Sequence, residues 1–440
     1  MGGGASLSWW GCFGRSRNNG APVGGSVRRM TSLASPAPFF GRRVVAAAFV
    51  LAMFGWGLGF YGPPVYLQSV REARDWSVVL VSSAVTLHFL VGAVVVANLP
   101  ALYRRVGLPA VTKAGAAFLA LGIVGWAVAQ EPWQLLVATF LSGAGWVAMG
   151  AAAVNAIVAP WYVVRRPAAL SMAYNGASIG GVVFSPLWVA AIAAFGFPVA
   201  AAVIGAIMIV TVWFLADRVF AHTPQSLGQL QDGEIMTPVA GTARPVERTL
   251  AGALLWRDRR FLTLAAAMAL GLFAQIGLIA HLFSLLVPVF GGPAAGILMG
   301  LATAAAIAGR TMVGWLMPQG SDRRLVACLS HVVQIAGSLA LLCAAGTDVA
   351  LLVAGVLLFG AGIGNTTSLP PLIAQVEFSR ADVQRVVPLI VAVGQGTYAF
   401  APAAFGWLRT LSPAEGMLVF VAAALIQAAA IALFLLGRKS

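Results

Sequence analysis

Residues 259–310 read RRFLTLAAAMALGLFAQIGLIAHLFSLLVPVFGGPAAGILMGLATAAAIAGR. No charged residue stands between Arg260 and Arg310. A membrane helix takes about 20 apolar residues, so the uncharged run 261–309 holds two of them. Phe290-Gly291-Gly292-Pro293 supplies the turn between them, because Gly and Pro punctuate helices. The run 167–216 repeats the arrangement, with its turn at Phe195-Gly196-Phe197-Pro198. Eight other uncharged runs each fit one helix: 44–70, 76–103, 114–130, 132–164, 325–347, 349–376, 386–408 and 416–437. The sum is twelve spans. Barrel strands would alternate in polarity over about ten residues, and these runs do not.

Composition agrees. Of 440 residues, 60% are hydrophobic and 9% are charged, and mean hydropathy is +0.90. A soluble domain carries about 25% charge. A soluble enzyme, a nucleic-acid-binding domain and a secreted disulfide scaffold are therefore poor fits. The net charge of +14 reflects cations at the ends of apolar runs, not a nucleic-acid surface. Cys328 and Cys343 fall about 22 Å apart on one expected helix, too far to bridge.

With the N-terminus placed inside, 23 of the 27 Lys and Arg residues fall on the cytoplasmic side. Only Arg71, Arg74 and Arg409 fall outside, and Arg310 stays within a span. That asymmetry predicts both termini inside a cytoplasmic membrane. The expected domains are a disordered cytoplasmic tail (1–41), a six-helix bundle (42–216), a cytoplasmic linker (217–258), a second six-helix bundle (259–437) and a short cytoplasmic end (438–440). Met30 is an alternative start, since the first span begins soon after it.

The two halves repeat. Arg42-Arg43 recur as Arg259-Arg260 at an offset of 217, and Arg104-Arg105 as Arg323-Arg324 at 219. Gly143-Ala144-Gly145 recur as Gly360-Ala361-Gly362 at 217, and Gly180…Pro186 as Gly396…Pro402 at 216. Parallel six-span repeats are a transporter architecture with the site between the halves.

Twelve spans, a 6+6 repeat and a central linker resemble the major facilitator superfamily over roughly residues 42–437. The family's loop signature after span 2 is only partly kept, as Pro100…Arg104-Arg105-Val106-Gly107. Its counterpart after span 8 survives as Gly314…Ser321-Asp322-Arg323-Arg324. Phe54-Gly55-Trp56-Gly57, Tyr61-Gly62-Pro63-Pro64, His281-Leu282 and Gly309-Arg310 are similar to its monocarboxylate and oxalate/formate branches. The resemblance implies an all-α membrane protein, two pseudo-symmetric six-helix bundles and alternating access. It also implies a monomer with a small-molecule substrate, bounded by the lipid bilayer. The span-5 antiporter signature of that superfamily is missing, which favours uptake over export.

Arg310 is the one Lys, Arg, Asp or Glu well inside any expected span. An arginine near the bilayer centre costs at least about 2.5–3.5 kcal/mol. It either pairs with a substrate anion or a gate, or snorkels to the inner interface. With no membrane carboxylate, any proton coupling falls to a histidine or to the substrate itself. His88, His281 and His331 are the candidates, against the plainer reading of imidazoles hydrogen-bonded between helices. The expected substrate site comprises Arg310, His281, Tyr61, Asn155, Gln275, Asn365, Gln395 and Tyr398, with Tyr174 and Asn175 nearby. The expected coupling or gating residues are His88, Asp322, Arg323, Arg104 and Arg105. Asn365-Thr366-Thr367-Ser368, followed by Pro370-Pro371, predicts a broken helix in span 10. Trp76, Trp133, Trp161 and Trp407 are expected in an interfacial belt.

No metal, cofactor, nucleotide-loop or hydrolase motif is found. The expectation is a secondary carrier, not an enzyme, that takes up a small organic anion with protons. The rivals are an exporter of hydrophobic compounds and a non-transporting membrane sensor.

Overall fold

The computed structural model describes residues 38–163, 165–233, 252–317, 321–411 and 416–438. Eleven helices among them are long and apolar enough to cross a membrane. One, Arg259–Leu316, is twice too long: 58 residues would reach roughly 87 Å if straight. Gly291 breaks it with φ +72, a left-handed backbone that glycine adopts without strain. Twelve spans result, with spans 7 and 8 on either side of Gly291.

Span 1 is Gly41–Arg74, span 2 Val78–Val106, span 3 Leu108–Val128, span 4 Pro132–Val158, span 5 Ala168–Phe195 and span 6 Phe197–Phe220. Span 9 is Arg323–Cys343, span 10 Val349–Glu377 and span 12 Met417–Leu436. Span 11 consists of Arg380–Tyr398 and Ala401–Leu411. Local chemistry sets many of the starts. Ser77 Oγ accepts from the Leu80 amide at 3.2 Å. Asp258, Asp322 and Asp348 cap spans 7, 9 and 10 in the same manner.

Within each half, glycines let the backbones approach. A Cβ at Gly143 would strike the His88 backbone, and one at Gly309 the Ala361 backbone. Small residues are the usual means of close packing where lipid removes the hydrophobic drive. The repeated Gly-Ala-Gly serves this purpose in both halves. Gly145 sits on span 3 at Leu119, and Gly362 sits on span 9 at Gln334.

Three helices differ from expectation. Span 1 breaks between Gly59 and Pro63, and span 4 between Val147 and Ala151. Span 10, expected to break, is one helix from Val349 to Glu377. Its prolines free the Thr366 and Thr367 carbonyls without parting the helix. The hydroxyls of Thr366, Thr367 and Ser368 turn back onto the Gly362 and Gly364 carbonyls, and span 8 packs tightly alongside.

Trp161 also differs. It is 2% exposed and packs against Phe39 and Phe40, so it belongs to the core. Trp133 and Trp407 are 64% and 58% exposed, as a belt requires. Of the expected tail, residues 1–37 lie outside the described residues, and Gly41 already opens span 1. In the linker, residues 234–251 lie outside them too. The linker's first part folds onto the first half. Asp232 accepts from the Val163 and Arg165 amides at 3.0 and 3.1 Å, and its own amide donates to the Trp161 carbonyl at 2.9 Å.

Candidate functional site between the halves

One end of the bundle carries the arginine-rich loops and is called here the basic end. The halves meet most closely away from it. Gly296 and Gly300 of span 8 pack on Val189 and on Val182 and Pro186 of span 5. Gly406 of span 11 packs on Ser82 of span 2, and the Ala403 amide donates to Thr86 Oγ1 at 3.0 Å. Phe89 and Tyr398 meet edge to face, 5.7 Å between centroids.

Gly296, Gly300, Thr303 and Arg310 lie on one face of span 8. Thr303 and Arg310 are seven residues apart, within about 20° of each other around the helix. Thr303 and the Tyr61 ring both meet at Gly181, where a Cβ would touch the two of them. Arg310 therefore points, like Thr303, into the space between the halves, roughly 10 Å nearer the basic end. Its stem lies along Gly364 of span 10, and Nε donates to the Gly364 carbonyl at 3.2 Å. Among the described residues, neither terminal nitrogen has a hydrogen-bond partner and no carboxylate pairs with the guanidinium. A half-buried fork aimed between the halves is placed to accept a planar anion, since two parallel N–H bonds match a carboxylate.

The first half faces this fork with aromatic rings. The break in span 1 carries Phe60 and Tyr61, and Trp56 stands one turn before it. Tyr174 of span 5 meets Trp56 edge to face at 6.2 Å. Its hydroxyl donates to the Ala151 carbonyl at 3.0 Å and accepts from Asn155 Nδ2 at 2.5 Å. Asn155 and Asn175 are exposed, and Gln395 and Tyr398 half-buried. Trp56 and Thr303 escaped the sequence reading of the site. Thr303 could have been found by stepping two turns back from Arg310.

The other expected site residues lie elsewhere. His281 is fully buried and donates from Nε2 to the Pro402 carbonyl at 2.9 Å. It lies near Gly406, where span 11 meets span 2. Measured by helical rise from the basic end, His281 stands at roughly 33 Å and Arg310 at roughly 9 Å. The two do not share a site in this conformation. Gln275 and Asn365 are 2% and 4% exposed, within the packed helices.

His88 has both ring nitrogens engaged, with Ser142 Oγ at 2.8 Å and the Gly59 carbonyl at 2.9 Å. Gly59 lost its helical amide partner to Pro63, so His88 closes the break in span 1. The carbonyl can only accept, so Nε2 carries the hydrogen and Nδ1 takes the serine hydroxyl. His331 donates from Nδ1 to the Ala327 carbonyl at 2.9 Å, deep in the second half.

Asp322 caps span 9 and accepts from Arg438 Nε at 2.6 Å. Arg323 donates to the Leu372 carbonyl at 2.6 Å, and Arg104 and Arg105 are exposed at the basic end. The contacts of Asp322 and Arg323 stay within the second half.

A sequence profile of the Major Facilitator Superfamily matches residues 44–402. The chain belongs to the major facilitator superfamily. No curated protein matches it in sequence. Among solved structures it is similar to the nucleoside transporter NupG in a singly substituted form. The TM-score is 0.69 at 12% identity, over 91% of this chain and 100% of that one. It is also similar to a bacterial homolog of the human lysosomal transporter Spinster, inward-facing and unoccupied. There the TM-score is 0.66 at 14% identity, over 92% and 98% of the two chains. The occupied form of that homolog gives 0.64 at 13% identity, over 92% and 97%. Such identities speak for the fold alone. The superfamily's members carry small molecules across membranes, so this chain is a multi-pass transporter and not an enzyme.

Proposed function

We propose that the protein takes up a small organic anion, with Arg310 binding its carboxylate and protons as the coupling ion. The observation that carries this reading is the free fork of Arg310. A half-buried guanidinium between the halves, with one backbone bond and no counter-charge among the described residues, keeps its terminal nitrogens open to a partner. A substrate carboxylate supplies that partner in each cycle.

The arginine asymmetry of the loops supports a cytoplasmic basic end, with both termini on the inner side of a cytoplasmic membrane. The close contacts between halves then lie on the outer side, and the site opens inward. The bacterial Spinster homolog, of the same fold, is named as inward-facing. Substrate leaves to the cytoplasm past Asn155 and Asn175. The halves rock outward once the contacts of Gly406 with Ser82 and of Ala403 with Thr86 part. His281 is the best-placed proton site. Its Nδ1 has no partner, and the ring stands beside the Gly406–Ser82 contact that opening must part. His88 is already satisfied in its neutral form.

The test is carboxylate counterflow in proteoliposomes. Arg310→Ala and Arg310→Lys should each lower the rate roughly 10- to 100-fold, as loss of a charge-assisted, bidentate bond predicts. Both variants should keep the folded yield of the wild type. Unchanged counterflow in Arg310→Ala would overturn the anion site. Transport confined to lipophilic compounds would favour an exporter.

A further inference from the structure

The rings opposite Arg310 narrow the substrate further. Trp56 is held by two edge-to-face neighbours, Trp146 at 6.1 Å and 88° and Tyr174 at 6.2 Å and 86°. Phe60 meets Tyr61 the same way, 5.1 Å and 82°. Trp56, Phe60, Tyr61 and Tyr174 are all only half-buried, although each stands well inside a span. A half-exposed ring in the middle of a membrane bundle faces either lipid or the space between the halves. Tyr61 meets Thr303 of the other half at Gly181. Tyr174 bonds Asn155 of span 4, which is itself exposed. These rings therefore face the gap, not the lipid.

The opposite wall is thin. Between Thr303 and Arg310, span 8 presents only alanine, isoleucine and glycine. Gly364 beside Arg310 admits no side chain, since a Cβ there would press on Arg310 and on the Ala306 carbonyl. The first half thus turns perpendicular rings toward the gap and span 8 turns small residues, with one cation nearer the basic end. Perpendicular rings offer both faces and edges, which suit a flat aromatic guest better than a puckered one. Among the residues gathered here Arg310 is the one cation, so they offer a single anchor for a carboxylate.

We infer that the substrate is a planar aromatic monocarboxylate, with its carboxylate on Arg310 and its ring against Trp56 and Tyr61. This rests on the anion reading of Arg310.

The experiment is isothermal titration of the purified full chain in detergent, which avoids passive leak of weak acids across vesicles. The probes are benzoate, 2-naphthoate, cyclohexanecarboxylate and succinate. The tighter of the two aromatic acids should bind roughly 3- to 10-fold more tightly than cyclohexanecarboxylate, and succinate should bind more weakly than either. Trp56→Leu should erase the aromatic preference while leaving the dependence on Arg310, and Trp56→Phe should restore most of it. If Trp56→Leu does not fold, the wild-type ranking and Trp56→Phe still decide. Equal binding of aromatic and cyclohexane acids, with both lost in Arg310→Ala, would overturn the aromatic inference alone. Binding of all acids unaffected by Arg310→Ala would overturn the anion reading beneath it.

Discussion

Arg324 and Arg310 sit in the same half of the molecule, one buried and one half-buried, and their surroundings are opposite. Arg324, with 1% of its side chain exposed, pairs with Glu377 through Nε at 2.6 Å and Nη2 at 2.8 Å. Its other donors reach Thr263 Oγ1 and the carbonyls of Arg260 and Phe434. It ties the basic ends of spans 7, 9, 10 and 12 together. Arg310 makes one bond, to the Gly364 carbonyl. A saturated arginine is structure; one with its fork free is placed for a partner that comes and goes.

The sharpest way to break this comparison is to remove Arg324. Arg324→Ala leaves Glu377, 16% exposed, without its counter-charge, and loss of one member of a buried pair costs about 3–5 kcal/mol. We expect a large drop in melting temperature and in folded yield, read by thermal unfolding in detergent. Arg310→Ala should lose no stability by the same assay, because no protein charge depends on it. A stable Arg324→Ala would erase the distinction.

A smaller effect is expected at His88, whose bonds are also complete. His88→Ala frees the Gly59 carbonyl and Ser142 inside the first half, a loss of roughly 1–3 kcal/mol. Thermal unfolding should show it, and counterflow by the folded fraction should persist. Counterflow that vanishes at full stability would instead make His88 the proton site.

The smallest effect concerns pH. Asp322 and Asp258 lie outside the spans. Partial burial works to raise each carboxyl, but hydrogen bonds from Arg438 or Arg260 and from backbone amides outweigh it and hold both below the usual range. A carboxyl lowered by folding adds stability above its unfolded value of about 3.9. That stability is lost as pH falls through the lower folded value. Stability should be flat near neutrality and decline below about pH 4. Asp322→Asn should flatten part of that decline, by under about 1 kcal/mol given its exposure.

The same contrast separates what the sequence could say from what it could not. Twelve spans and the turns at Gly196 and Gly291 were readable, because hydropathy and glycine act locally. Arg310 was readable as a lone charge in an apolar run. The break in span 10 was not, because whether two prolines part a helix depends on what packs beside it. The close packing of span 8 on Gly360 and Gly364 holds it together. The break in span 1 likewise depends on His88, 29 residues beyond Gly59. His281 could be placed on its helix but not against Pro402, which is 121 residues away.

The halves also repeat in sequence more closely than in their bonds. Arg105 and Pro160 occupy the positions matching Arg324 and Glu377, so the ion pair has no counterpart. In the first half, Asp232 of the linker holds the turn between spans 4 and 5 instead.

The most direct test of the free fork is a thermal-shift screen of wild type, Arg310→Ala and Arg310→Lys. The panel holds carboxylates, neutral sugars, amino acids and lipophilic cations. A ligand of the native state raises the melting temperature by mass action. One class of carboxylates should stabilise the wild type, and Arg310→Ala should lose the shift entirely. The same shift in both proteins, or stabilisation by lipophilic compounds alone, would contradict this reading of Arg310.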